Sequence, residues 1–195
     1  MTMLNTPLRL LAGLVFALAT VAPSSKAQSA DIANTFLTNI RAHCGKAYQG
    51  RMVNPMPGDS VMARARLVMH VRECGDTVRV PFHVGEDRSR TWVLTRTANG
   101  VRLKHDHRHA DGKPDSVTQY GGDSRATGTG AVMEFAADAF TANLLPASRT
   151  NVWTVEISAT QFAYRLRREG TERRVNVVFD LTKPVPAPPA PWGHK

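Results

Sequence analysis

Short stretches in which apolar and polar residues alternate dominate the chain after residue 45. Residues 78–84 alternate valine or phenylalanine with arginine, proline and histidine, and residues 61–74 alternate alanine, leucine and methionine with arginine and histidine. A period of two is typical of strands with one buried face. The same pattern predicts further strands that begin at Trp92 and Val101 and that cover Val117–Tyr120, Ala131–Phe135, Val152–Ser158, Phe162–Arg168 and Arg174–Leu181.

One segment before the strands follows a helical period instead. From Ser29 to Cys44, apolar residues recur three and four positions apart, which predicts a short amphipathic helix. A second short helix is predicted over Ala136–Leu145. Short strands joined by tight turns, preceded by one helix, favour a mainly β fold. We expect a single antiparallel up-and-down barrel or strongly curved meander of lipocalin-like (calycin-like) architecture, with a β-sandwich as the alternative.

The N-terminus has the organisation of a secretory signal peptide. Arg9 precedes an apolar run over residues 10–22, and Ser25 and Ala27 are small residues at the positions that signal peptidase recognises. The run is shorter than the roughly 20 residues of a membrane-spanning helix. We therefore predict cleavage after Ala27, with Ala30 as the alternative site. The resulting protein is expected to be periplasmic or secreted, without a transmembrane segment.

Composition and charge limit the class of protein and the kind of partner that the chain could have. Hydrophobic residues make up 42% and charged residues 21% of the chain, which excludes disordered, collagen-like and coiled-coil proteins. Residues 28–182 are predicted to form one domain, and the five prolines of residues 183–195 predict an extended or flexible tail. The formal charge of +9 falls to +7 without residues 1–27, which suits an anionic envelope polymer as partner. The alternative is an arginine-rich surface that is simply solvated, because a net charge of this size is ordinary for a soluble domain. Few aromatic residues interleave with the arginines, so no specific nucleic acid is expected.

The chain contains two cysteines, Cys44 and Cys74. An even number of cysteines in an exported protein predicts a disulfide between them. Such a bridge contributes roughly 2–4 kcal/mol by restricting the unfolded chain. The alternatives of a redox or zinc motif lack the required C-x-x-C spacing.

The segment Val101–Gly112 carries the most distinctive chemistry. Its three histidines, His105, His107 and His109, alternate with charged residues and continue the apolar face of a predicted strand. Imidazole is the commonest protein ligand for zinc, copper and iron. Two neighbouring histidines, completed by a residue such as Asp111, would form a metal site. The alternative is that these histidines are hydrogen-bonded or solvated at the barrel rim.

A turn signal predicts how this strand pairs with the preceding one. Asn99-Gly100 is typical of a type I′ hairpin turn. In the register that this turn implies, His107 lies opposite Trp92, and His105 lies opposite Leu94. The residues predicted to line a cavity are Trp92, Leu94 and Leu103.

Three segments carry a family resemblance. They are His83–Trp92, Lys104–His109 with the motif KHDHRH, and Thr118–Gly122. These segments resemble a family of small exported bacterial β-rich proteins without an assigned function. The resemblance covers most of the chain after the predicted signal peptide, and it implies export and a single domain but no activity.

The leading hypothesis is an exported binding protein whose histidine-lined cavity or rim holds a metal ion or a small ligand. One alternative is a metal-dependent or histidine-based hydrolase. Another is an envelope-associated structural protein that binds anionic polymer through a basic face. The motifs G-x-S-x-G, G-x-x-x-x-G-K-S/T and H-E-x-x-H are absent from the sequence, so no catalytic residues are assigned.

Overall fold

Eleven strands and three helices follow one another along residues 25–194, the part of the chain that the computed structural model describes. The helices are α1 (Ser25–Arg41), α2 (Ser60–Arg64) and α3 (Ala139–Leu144), and a 3-10 turn spans Pro146–Ser148. The strands are β1 (Ala47–Met52), β2 (Leu67–His70), β3 (Glu73–Cys74), β4 (Thr77–Val84), β5 (Asp87–Thr97), β6 (Gly100–His107), β7 (Tyr120–Asp123), β8 (Val132–Ala136), β9 (Asn151–Ile157), β10 (Gln161–Arg168) and β11 (Arg174–Val185).

The strands form one antiparallel sheet that curls into a nearly closed barrel. Their hydrogen-bonded order is β7-β6-β5-β4-β2-β1-β11-β10-β9-β8, and β3 pairs with β4 beside this path. An isolated bridge between Ser124 and Phe135 brings the two ends of the sheet together. The Arg125 amide also donates to the Glu134 carbonyl at 2.8 Å. The predicted up-and-down barrel is therefore confirmed, and the sandwich alternative is wrong.

Aromatic rings from both halves of the sheet meet inside the barrel. Trp92 stacks on Phe82 and Tyr164, with ring centroids 4.9 and 4.4 Å apart. Phe162 and Phe179 extend this group at 5.9 and 6.3 Å from the Trp92 ring. Each of these five side chains is at most 9% exposed. Burial of a phenylalanine-sized side chain stabilises the fold by about 1.5–3 kcal/mol, so this group is a major part of the core.

Helix α1 closes one end of the barrel. Its spacing of apolar residues places them on one face, and the structure buries that face almost completely. The buried residues are Ala33, Phe36, Leu37 and Ile40. Polar residues on either side bind the surrounding segments: Asn39 Nδ2 donates to the Gly130 carbonyl at 2.8 Å, and Arg96 Nε donates to Asn34 Oδ1 at 3.0 Å.

Two observations bear on the predicted export. The disulfide between Cys44 and Cys74 is present, with Cα atoms 6.1 Å apart, and it connects the segment after α1 to β3. Such a bridge is typical of oxidising compartments. Within residues 25–194, no helix is both long and apolar enough to cross a membrane. The predicted signal peptide lies mostly outside the described residues, because residues 1–24 are not described.

The segment 61–74 is not the single strand that the sequence predicts. It contains α2, β2 and β3. Alternating alanines give this segment little apolar area to bury, and Ala63 is exposed. Asp59, the residue before α2, accepts bonds of 2.7 and 3.0 Å from the Arg173 guanidinium and so joins this region to the start of β11. Strand β1 is missing from the predicted elements because its sequence, AYQGRM, has no regular alternation.

The proline-rich tail is extended, but it lies against the barrel. Strand β11 continues to Val185, where Pro184 and Val185 still pair with β1. Beyond this strand, the Trp192 amide donates to the Arg88 carbonyl at 3.1 Å, and Arg88 Nη1 donates to the Ala190 carbonyl at 3.2 Å. The segment predicted as flexible is therefore held on the outer face of the sheet. Proline has no backbone N–H group to donate. The hydrogen bonds that hold this segment therefore involve Ala190 and Trp192, which bind the side chain and the carbonyl of Arg88.

Candidate functional site

A cavity of about 300 Å³ lies at the end of the barrel opposite α1. Its aromatic wall consists of Trp92, His105, Tyr120, Trp153 and Tyr164. Its apolar rim includes Met62, Val117, Leu145, Leu166 and Val175. Three arginines, Arg90, Arg168 and Arg173, also line it. The cavity therefore combines rings, aliphatic groups and positive charge.

The β5–β6 hairpin determines which of its residues reach this cavity. Ala98 and Asn99 are the two turn residues, because Gly100 already belongs to β6. Asn99 does not have the positive φ that a type I′ turn requires. The predicted register is therefore wrong by two residues, and Trp92 lies opposite His105. The neighbouring pairs are Arg90 with His107 and Leu94 with Leu103.

His105 is enclosed in the aromatic wall and uses both ring nitrogens. Its Nδ1 lies 3.0 Å from the Tyr120 carbonyl, and because a carbonyl only accepts, Nδ1 carries the proton. Its Nε2 lies 2.7 Å from the Tyr164 hydroxyl and accepts from it. Burial lowers the pKa of His105 to about 3 and raises the pKa of Tyr164. Both groups are neutral at pH 7, and a metal ion at Nε2 would have to replace the Tyr164 bond.

His107 stands at the rim of the cavity, half-buried. Its Nε2 lies 3.1 Å from the Tyr120 hydroxyl, and its backbone N–H donates to Thr118 Oγ1 at 2.8 Å. Burial, assisted by the positive charge of Arg90, lowers the pKa of His107. Burial also raises the pKa of Tyr120 to about 12. This part of the cavity is therefore neutral and offers hydrogen-bonding groups instead of charge.

The other two proposed ligands do not join these histidines. Strand β6 ends at His107, and His109 is exposed in the loop that follows. Asp111 is also exposed, and it accepts a bond of 2.9 Å from the Lys113 amide. Among residues 28–194, no group of three or more His, Cys, Asp or Glu side chains is arranged to hold a metal ion. Zinc, copper or iron at this strand stays a prediction from the sequence.

The residues predicted to line the cavity divide into two groups. Trp92 forms part of the cavity wall. Leu94 and Leu103 pair with each other two residues further from the mouth and belong to the packed core, with exposed fractions of 1% and 0%. They support the wall without facing the cavity.

Two of the three cavity arginines are paired with carboxylates. Arg90 forms an ion pair with Asp87, and Arg173 binds both oxygens of Asp59. The pKa of Asp59 is lowered, mainly by this bond from Arg173. These two cations are therefore compensated within the protein.

Arg168 differs from the other two arginines. Its Nε donates to Asn151 Oδ1 at 3.0 Å, and its Nη2 lies 3.4 Å from Ser148 Oγ. Both partners are neutral, and within residues 28–194 no carboxylate forms an ion pair with Arg168. Its direction could have been predicted, because Phe162, Tyr164 and Leu166 at even positions of β10 place Arg168 on the inward face. Arg168 was not among the residues predicted to line the cavity.

The described residues supply binding groups for an anion with an apolar body. The histidines and tyrosines of the wall are neutral at pH 7, so the positive charge comes from arginine. Ligand sites of proteins commonly combine apolar walls with a few fixed polar groups.

Comparison with known proteins found no matching family model, no matching curated protein and no matching solved structure.

Proposed function

We propose that this protein is an exported binding protein whose barrel mouth holds a small organic anion with a planar apolar body. The observation that carries this proposal is the position of Arg168, which lines the cavity and has only neutral partners. An anionic group of a ligand would supply the missing counter-charge. The export part of the proposal is supported by the N-terminal sequence and is consistent with the Cys44–Cys74 disulfide.

The site favours a fixed ion pair with the ligand. Asn151 is buried, and together with Ser148 it orients the Arg168 guanidinium before any ligand arrives. A side chain that is already held in its binding position loses less conformational freedom when the complex forms. Guanidinium also binds carboxylate or sulfonate oxygens through two parallel hydrogen bonds. A single carboxylate or sulfonate is therefore the anionic group that the site suits.

The aromatic walls of the cavity favour a ligand with planar rings over a ligand with a flexible chain. His105 stacks on Tyr120 with centroids 4.4 Å apart, and Trp153 lies 5.9 Å from the same Tyr120 ring. Aromatic faces bind other planar groups in stacked or edge-on geometry. A volume of about 300 Å³ is at the lower end of ligand sites. Two or three rings with one acidic substituent would fill it.

Two fluorescent probes test this proposal. 1-Anilinonaphthalene-8-sulfonate carries a negative charge, whereas N-phenyl-1-naphthylamine has the same rings without the sulfonate. The disulfide-bonded chain is titrated with each probe, as is the variant Arg168→Gln. Loss of a charge-assisted bond, worth about 1.5–3 kcal/mol, should weaken binding of the sulfonate about tenfold or more. Binding of the neutral probe should change less than about twofold, because it makes no such bond.

A matched variant separates this effect from a change in overall charge. Arg149→Gln removes one positive charge close to the mouth, but Arg149 is exposed and its Nε donates only to the Pro146 carbonyl at 3.3 Å. It should bind both probes as the wild type does. Near-ultraviolet circular dichroism checks that each variant keeps its packed aromatic core. Equal sulfonate affinity in wild type and Arg168→Gln would overturn the proposal, and sulfonate binding that requires added zinc would favour the metal hypothesis instead.

A further inference from the structure

The C-terminal strap, which we define as residues 186–194, crosses the outside of the barrel from the end of β11 to the mouth. It begins where Val185 leaves β1, and its prolines lie over Val68 of β2 and His83 of β4. The Trp192 amide then binds the Arg88 carbonyl on β5. The outer face of three strands is therefore covered by a segment of the same chain.

The far end of the strap contacts the loop beside the mouth. Gly193 packs so closely that a Cβ there would lie 2.5 Å from Arg108 Cδ and 2.9 Å from the Gly112 carbonyl. His194 Nε2 lies 3.4 Å from Asp106 Oδ2. Asp106 is on the outer face of β6, yet it is only 3% exposed. The strap, together with Arg108 and Gln119, therefore covers a carboxylate that alternation alone would place in solvent.

His83 lies under the proline-rich part of the strap. It is 3% exposed and lines a crevice of about 290 Å³ between the strap and the sheet. Its Nε2 is buried without a hydrogen-bond partner among the described residues. A protonated imidazole at this position would have one N–H group that neither water nor the protein satisfies. The bound strap is therefore compatible with neutral His83 and poorly compatible with the cation.

The charges around His83 add to this effect. Arg66 precedes β2 and lines the same crevice. The other charged or titratable neighbours are His70 of β2, Glu86 in the β4–β5 turn, and Asp87 and Arg88 at the start of β5. Burial is the main cause that lowers the pKa of His83 to about 4, followed by Arg88 and His70, with smaller opposite effects of the two acids. Residues 186–192 of the strap contain no ionisable side chain that could offset the charge.

We propose that residues 186–194 form a pH-sensitive strap, which is bound to the barrel at neutral pH and is released in acid when His83 takes up a proton. A released strap exposes His83 to water, where the imidazole regains its ordinary affinity for protons. Release also frees the Arg108 and Gly112 contacts and therefore loosens the loop at the mouth. This inference does not depend on which ligand fills the cavity.

The direction of the pH dependence follows from linkage. The released state binds more protons than the bound state between the ordinary histidine pKa of 6.5 and the value of about 4 under the strap. Binding of the strap is therefore fully favoured above pH 6.5 and weakens as the pH falls towards 4. Over this interval the equilibrium changes by up to about 300-fold, since each pH unit corresponds to at most a factor of ten.

Hydrogen exchange of the Trp192 amide measures release of the strap in the full disulfide-bonded chain. After correction for the intrinsic exchange rate, its protection should fall by up to about 300-fold between pH 7 and pH 4. The Leu181 amide, which donates to the Thr160 carbonyl inside the sheet, should stay protected and shows that the barrel is intact. In His83→Leu, which cannot be protonated, the fall at Trp192 should be less than about threefold. His83→Gln serves as a second variant of the same kind.

His194→Gln is the matched control, because it removes an imidazole from the strap and leaves His83 in place. It should retain the pH dependence of the wild type. In the wild type itself, Trp192 protection should begin to fall near pH 6.5 and should level off near the midpoint of an NMR titration of the His83 ring. A plateau that coincides with this midpoint supports the proposal. A plateau far from the His83 midpoint, unchanged Trp192 protection down to pH 4, or an equal fall in His83→Leu would overturn it.

Discussion

The two ends of the barrel are built from the same strands but filled in different ways. At the α1 end, Phe36, Leu37 and Ile40 project from the helix into the barrel and are at most 1% exposed. At the mouth, the inward positions carry rings and Arg168, and a cavity of about 300 Å³ remains. Close packing is the normal state of a protein interior. An end that the chain leaves open, lined by groups that suit a ligand, is therefore the end at which function is expected.

A tyrosine–histidine bond of 2.7 Å occurs at each end. At the α1 end, the Tyr48 hydroxyl lies 2.7 Å from His43 Nδ1, and the bond is partly exposed. At the mouth, the Tyr164 hydroxyl lies 2.7 Å from His105 Nε2, and the bond is buried. The same pair of groups thus stands in two surroundings. The effects of burial at the two ends can be compared directly.

The largest difference between the ends should appear when an apolar side chain is shortened. Phe36 is 0% exposed and its ring lies 6.5 Å from that of Phe135, so Phe36→Ala leaves a cavity and should cost about 3–5 kcal/mol. Val117 at the mouth is 40% exposed, and Val117→Ala should cost less than about 0.5 kcal/mol. Urea unfolding measures both free energies. Similar costs would show that the α1 end is not packed as described.

Loss of the disulfide should have the next largest effect, and it should act through the α1 end. The bridge joins residues 30 positions apart in sequence, and closing a loop of that length restricts the unfolded chain by about 3 kcal/mol. We expect the double variant Cys44→Ala and Cys74→Ala to lose about this much stability. The reduced wild type should unfold at the same urea concentration as the double variant. A marked loss of probe affinity at the mouth, with the fold retained, would contradict the separation of the two ends.

The fold could largely be predicted from the sequence, because alternation is strong where one face of a strand is buried. Residues 162–168 and 174–181 alternate clearly, and strands β10 and β11 cover both segments. Alternation failed in the segment 61–74, where alanine positions have little apolar area. It failed again in β1, which contains Gly50 at a bulge in its pairing with β11. These elements depend on distant partners such as Arg173, which local sequence does not reveal.

The site was predicted in part. Trp92, His105 and His107 line the cavity, but the pairing of β5 with β6 is shifted by two residues from the predicted one. A hairpin signal of two residues does not fix the register by itself, because the residue before Asn99 can also take part in the turn. The surroundings of Arg168 cannot be read from β10 alone, since its partners come from β9 and the 3-10 turn. Only the folded barrel shows that its partners are neutral.

A smaller effect should follow from removing the tyrosine hydroxyl at each end. Tyr164→Phe leaves His105 Nε2 buried without a donor, which should cost about 1–3 kcal/mol. Tyr48→Phe removes a bond of the same length, but water can reach His43 in its place, so the cost should be about 1 kcal/mol or less. Urea unfolding at pH 7 compares the two variants. A larger loss for Tyr48→Phe would mean that solvent exposure does not distinguish these bonds.

Replacement of the buried imidazole at the mouth should change the pH dependence of stability. Because burial lowers the pKa of His105 to about 3, the unfolded chain binds more protons than the folded chain between pH 3 and 6.5. The free energy of unfolding should therefore fall in acid, with a contribution from His105 of at most about 1.4 kcal/mol per pH unit. His105→Gln should remove this contribution from unfolding curves measured between pH 7 and pH 4. The slope that remains belongs to other groups whose pKa is lowered by folding, such as His83 and, towards pH 4, the paired carboxylates of Asp59 and Glu134.

His109→Gln is the control for this measurement. His109 follows the same strand by two residues and is exposed in the folded chain, so its replacement removes no buried imidazole and should leave the slope unchanged. If His105→Gln and His109→Gln had equal slopes, His105 would not be held neutral inside the barrel. The description of the cavity wall as neutral would then be wrong. A His105 imidazolium would contribute positive charge in addition to that of Arg168. If the slopes instead differed by about 1.4 kcal/mol per pH unit, which corresponds to one proton, His105 would be held neutral. The positive charge at the mouth would then come from arginine.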